Sequence, residues 1–183
     1  MLTAIENAKE LVKSPEWPRS IHNFPQNSSE NCWGFALDGL KIPALRRRTW
    51  YSSNDGLEDE IFDFLQCVDL NPRKISSAEE KSSEEMVFLF YVYSYSYFNV
   101  ATEDFGTRSE CHVARIECDG TVVEKASSSA TPVITSVEGI TNRIFDQDNV
   151  LVEPILFAVR KPRWCFCTKK SSSCKGWALF LHL

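Results

Sequence analysis

Three side chains have the types and spacing for nucleophilic chemistry: Cys32, His112 and Glu124. Cys32 follows three competent N-caps, Ser28, Ser29 and Asn31. The apolar residues behind it, Trp33, Ala36, Leu37 and Leu40, recur at helical spacing. This predicts a short buried helix that starts at the cysteine and ends near Asp38-Gly39. A thiol in a first turn sits among unpaired backbone N–H groups at the positive end of the helix dipole, and both favour the reactive thiolate. Gly34 costs about 1 kcal/mol against alanine in a helix interior, which close packing of this turn on a sheet would justify. Taken alone, Cys32 also fits a buried structural cysteine.

His112 opens a stretch with strand character, Cys111 to Ile116, followed by Asp119-Gly120 and the return stretch Thr121 to Glu124. Asp-Gly between two such runs is a strong hairpin signal. Alternation puts His112, Ala114 and Ile116 on one face, and the return residues facing His112 fall in the neighbourhood of Glu124. A carboxylate beside an imidazole fixes its tautomer and stabilises the imidazolium. Lys125 and Ser127 are the neighbouring competitors for that third role.

The run Gln26-Asn-Ser-Ser-Glu-Asn-Cys32-Trp-Gly-Phe-Ala resembles the start of the active site in papain-like cysteine peptidases. Residues 112–128 resemble the His strand of NlpC/P60 and CHAP hydrolases: a His, a small apolar strand, a turn and a return strand with a polar orienting residue. The order, Cys first and His later on a strand, is that of the unpermuted members. The resemblance implies an α+β, compact papain-like fold in which an N-terminal helix bearing the Cys packs on an antiparallel sheet. It also implies Cys32 as nucleophile, His112 as acid and base, Glu124 as the orienting residue and Gln26 as oxyanion donor. An amide donor of that kind contributes about 3 kcal/mol to the transition state. Glu124 departs from NlpC/P60, which more often has His there, although CHAP-type sites use Glu. The implied activity is cysteine-dependent acyl transfer, as peptidase, amidase or glutamine deamidase, on a protein or peptide substrate and without a cofactor.

The elements that must position these residues are read from the rest of the chain. Its 183 residues suit one domain with a sizeable core, and 43% hydrophobic with 12% aromatic content is that of a globular protein. A hydrolase domain over 1–160 and a Cys-containing tail over 161–183 docking on it are expected. Helices are predicted over 3–13 and 57–70, the second stopped by Pro72, with Cys67 on or near its apolar side. Trp17 and Phe24 read as anchors in an irregular segment, and His22 as a surface imidazole. Residues 86–100 form the most strand-like stretch, buried on both faces at first and wet on one face later. Residues 76–85 read as an exposed loop or a frayed helix, 101–108 and 127–135 as loops, 137–144 as a short helix and 150–160 as a last strand interrupted by Pro154.

A net charge of −5 with a pI near 5.3 argues against nucleic acid or an anionic membrane as partner. No apolar run has the length of a transmembrane helix, and the start alternates apolar residues with Glu6, Lys9, Glu10 and Lys13, unlike a signal peptide. Seven irregularly spaced cysteines fit a reducing compartment. A cytoplasmic protein is therefore expected, or one delivered by a route independent of signal peptides. The basic run Arg46, Arg47 and Arg48 reads as a solvated turn, with substrate-carboxylate recognition as its sharper alternative. Cys165, Cys167, Cys174 and His182 are conceivable zinc ligands, but their spacing matches no familiar finger, so no metal is expected. The alternative of another class is a non-catalytic binding or inhibitory protein on the same scaffold.

Overall fold

The computed structural model describes residues 2–38, 57–145, 150–151 and 154–160. Leu40, the Arg46 to Arg48 run, the Asn54-Asp55-Gly56 turn signal and the 161–183 tail with its cysteines lie outside the described residues. The architecture is α+β, with helices packed on an antiparallel sheet. The helices are α1 (Leu2–Val12), α2 (Cys32–Ala36), α3 (Leu57–Cys67) and α4 (Val137–Phe145). The strands are β1 (Pro72–Ile75), β2 (Glu85–Asn99), β3 (Asp104–Ile116), β4 (Val122–Glu124), β5 (Val133–Thr135), β6 (Val150–Leu151) and β7 (Ile155–Arg160). Their order is β1-β7-β2-β3-β4-β5, with β6 pairing β2 off this path.

β2 is the centre of the sheet because its run of β-branched and aromatic residues is buried on both faces from Met86 to Val92. Met86, Phe88, Phe90 and Val92 face α1, α2 and α3, where they meet Ala8, Val12, Trp33, Leu37, Ile61 and Leu65. Val87, Leu89 and Tyr91 face the other way, toward Ile140 and Ile144 of α4. Trp17 and Phe24 are buried anchors as expected, and His22 is exposed in a short 3-10 turn, Ile21–Asn23.

Five expectations are corrected. Pro72 does not merely end α3; it begins β1, an edge strand whose first residue needs no ladder N–H. Residues 104–108 are strand, not loop: β3 pairs with β2 over its whole length, from Asn99↔Asp104 to Val87↔Ile116. The 127–135 loop contains β5, which extends the sheet beyond β4. Cys67 is exposed at the end of α3. The helix bearing Cys32 is the second in the chain and shorter than its apolar pattern suggested, since it ends at Ala36 with Asp38 in the left-handed region, at φ 62.

So short a helix is not self-supporting and is held by side chains at both ends. At its start Asn31 accepts a hydrogen bond from the Gly34 N–H at 2.9 Å. At its end the buried Arg115 guanidinium donates to Ala36 O at 2.9 Å, Phe35 O at 3.4 Å and Arg19 O at 3.3 Å. Glu117 balances its charge at 2.7 Å, and the Phe35 ring lies beneath it. Asp38 is tied to the Arg19 guanidinium and to its backbone N–H. Trp33 and Phe35 spread the helix over the core, Trp33 against Phe90 and Phe35 edge-on to Phe24.

Arg115→Met keeps the buried stem but leaves three carbonyls without their cationic donor. It should lower stability in urea denaturation by about 3 kcal/mol. A loss below about 0.5 kcal/mol would mean that other contacts hold the end of α2.

Candidate active site

The Asp119-Gly120 hairpin sets the register of the site. Glu117 O accepts from the Gly120 N–H at 3.0 Å, and Thr121 O accepts from the Glu117 N–H at 2.9 Å. Gly120 has φ +90, so a side chain there would be strained whatever the space around it. Beyond the turn β3 and β4 pair only at Ile116↔Val122 and Arg115↔Val123. The two strands then separate. Continuing the register would set Val113 against Lys125, but Lys125 lies beyond β4; α2 packs against β3 here, and the Val113 backbone favours the Cys32 thiolate.

This split explains how residues from opposite faces meet. Cys32 packs with the α1–α3 side of the core, beside Cys111 and Val113. His112 is paired across the ladder with Tyr91 and shares the face of Ala114 and Ile116, the α4 side. Where the sheet opens, the imidazole and the thiol come near one another at the edge of β3, close enough for each to shift the other's titration. The ring's Nε2 is 2.7 Å from Glu124 Oε2, which leaves Nδ1 for the thiol. His112 and Glu124 are both buried.

The structure thus brings Cys32, His112 and Glu124 together in the order anticipated, and it distinguishes the competitors for the third role. Glu124 faces the ring. Lys125, next along the chain, points to the opposite face, where its buried Nζ donates to Glu30 O at 2.7 Å and to Ser127 O and Ser128 O at 2.8 Å. Ser127 is exposed, with its hydroxyl beside that of Ser129. Gln26 is exposed in the loop before α2, and its side-chain amide donates to Phe24 O at 3.4 Å.

Two contributors were not anticipated. Arg143 of α4 reaches Glu124 with both Nη atoms, at 2.6 Å to Oε1 and 2.7 Å to Oε2. Its sequence signal was weak but real: it flanks Ile144 and lies one turn from Ile140, the stripe that seats α4 on the sheet. Lys125 is the other, since its three carbonyls join the segment leading into Cys32 to the loop after β4.

The titration behaviour follows from these contacts. Burial pushes the Cys32 thiol up, but the His112 hydrogen bond and charge, with the Val113 and Trp33 backbones, more than reverse it, so its pKa is lowered. Burial alone would lower the imidazolium's pKa; Cys32 and Glu124 outweigh it and raise it. Glu124 is likewise opposed by burial, yet His112 and Arg143 hold it at about 2. The half-buried Cys111 thiol beside Cys32 is pushed up by desolvation and stays a thiol. Such an arrangement favours the thiolate on Cys32 and the imidazolium on His112 relative to the same groups free in water. Among the described residues, no group of three or more His, Cys, Asp or Glu side chains is placed to hold a metal ion.

No family model matches this chain, and neither a curated protein nor a solved structure matches it.

Glu124 ionises at about 2 in the folded protein against an ordinary 4.5. As pH falls, the unfolded chain therefore takes up this proton first. The stabilisation from Glu124 is present above pH 4.5 and is lost as pH falls from 4.5 through about 2. Glu124→Gln should be less stable than the wild type near neutral pH, with the gap closing toward the acid end in urea titrations. A gap independent of pH would place the contribution of Glu124 in packing rather than charge.

Proposed function

We propose that this chain is a cysteine-dependent acyl-transfer hydrolase on a compact papain-like scaffold, acting on a protein or peptide substrate as peptidase, amidase or deamidase. The observation that carries this reading is the Cys32–His112–Glu124 constellation, in which a buried imidazole meets a buried carboxylate at 2.7 Å and interacts electrostatically with the half-buried thiol. The thiolate attacks the substrate carbonyl carbon, and the carbonyl electrons move onto oxygen. As the tetrahedral intermediate collapses, the imidazolium gives its proton to the departing amine and a thioester remains on Cys32. His112, now neutral, takes a proton from water as the water attacks the thioester. The acid product leaves, and thiolate and imidazolium are restored.

The developing oxyanion falls to the Cys32 backbone N–H and the Gln26 amide. The Gln26 bond to Phe24 O, at 3.4 Å, is long and weak, so the amide can turn toward substrate at little cost. Among the described residues no helix is long and apolar enough to cross a membrane.

The test is chemical selectivity together with turnover. Below pH 7 iodoacetamide should modify Cys32 far faster than Cys67, Cys111 or Cys118, each of which is a free thiol. Cys32→Ala should abolish amine release from a library of fluorogenic peptide amides, and cost less than about 1 kcal/mol of stability because the change leaves little cavity. A Cys32 no more reactive than Cys67 would favour a non-catalytic binding protein on the same scaffold.

A further inference from the structure

The relay does not end at Glu124. His112 engages only Oε2 of that carboxylate, and Oε1 meets Arg143 Nη1 at 2.6 Å while Nη2 shares Oε2 at 2.7 Å. The Glu124 side chain is 2% exposed and that of Arg143 is 37% exposed. A guanidinium with its stem at the surface thus reaches inward to close both sides of a buried carboxylate. A planar fork on a planar carboxylate fixes the rotation of the carboxylate as well as its charge.

We propose that Arg143 is the fourth, positioning member of this site: its fork locks the Glu124 carboxylate in the plane from which Oε2 meets Nε2 of His112, and so sustains the thiolate on Cys32. The inference rests on the hydrolase reading but concerns the charge state of the thiol, which is measurable without a substrate. Without the fork, Oε1 would be buried with no cation opposite. The carboxylate would then either take up a proton or rotate toward water, and either change removes negative charge from beside the ring. The imidazolium would lose its counter-charge, and the thiolate its partner.

The other charged and titratable groups around the relay leave this role to Arg143. Tyr91 of β2 faces Glu124, and burial pushes its hydroxyl up to about 12, so it stays neutral. Tyr93, also on β2, lies near Arg143. Around Cys32 stand His112 and Cys111 of β3, and Lys125, whose ammonium is engaged by three backbone carbonyls. Arg143 is the one cation bonded to Glu124 besides His112, among the described residues.

The experiment is the pH profile of Cys32 alkylation by iodoacetamide, read at the Cys32 peptide by mass spectrometry, in the full-length wild type, Arg143→Met and Arg143→Lys. Thermal melts check that each variant is folded. Arg143→Met should alkylate about tenfold more slowly than the wild type at mildly acidic pH, the equivalent of about one pKa unit. Arg143→Lys supplies a point charge without the fork and should lose about threefold. Profiles of folded variants that superimpose on the wild type would overturn the proposal and leave Arg143 as an anchor for α4. Should Arg143→Met fail to fold, Arg143→Lys decides alone: a loss of about threefold supports the role, and a superimposable profile refutes it. A wild-type Cys32 with ordinary thiol reactivity would sink the hydrolase reading separately. In that case the shift between wild-type and variant profiles at higher pH still reads the part played by Arg143.

Discussion

The site depends on a ladder that stops early. β3 and β4 stay together for two residue pairs after their turn and then part, and α2 packs against β3 there. Had the ladder continued, the Val113 N–H would bond to the backbone of the next strand, and Cys32 would be excluded from the sheet edge. Because it stops, a thiol from one face of the sheet can approach an imidazole from the other. The anchors on α2 serve this arrangement. Asn31, Arg115 and the Arg19–Asp38 pair fix a helix too short to hold itself, and Lys125 binds the chain leading into it.

The contacts favour an alternating series of charges across the sheet: Arg143 positive, Glu124 negative, His112 positive, with the thiolate form of Cys32 favoured at its end. Each ion is costly to remove from water alone, by several kcal/mol, and each is offset by its neighbours. The series explains why burial loses at every inner position. Desolvation opposes ionisation of Cys32, His112 and Glu124, yet in all three the hydrogen-bonded partner prevails. Cys111 shows the contrast, since it shares the burial, has no cationic partner and stays protonated.

Much of this was legible locally. The aromatic run of β2, the Asn31 cap, the Asp119-Gly120 turn and the alternation that sorts Glu124 from Lys125 are all short-range signals, and each has its counterpart in the structure. What escaped was imposed from a distance. Asp104, Gly106 and Ser109 have little strand preference of their own; they are strand because β2 offers a complete template opposite them. β1 exists because β7, more than eighty residues later in sequence, leaves an edge for it. Arg143 is a surface arginine by composition, and only the seating of Ile140 and Ile144 turns it toward Glu124. The shortness of α2 was not foreseeable from Leu40, because apolar periodicity does not report where a helix stops.

Glu124 and Lys125 are adjacent residues of opposite charge on a strand with a two-residue period, one meeting an imidazole and the other three carbonyls. Their roles are assigned by parity, and parity is set by the Glu117–Thr121 connection. Substitutions in that connection leave the assignment alone where the residue has no partner outside it, which sets apart Gly120, with its positive φ, and Glu117, the partner of Arg115. A slip of the β3–β4 pairing by one residue would exchange the two faces, presenting an ammonium to His112 and a carboxylate to a ring of carbonyl oxygens.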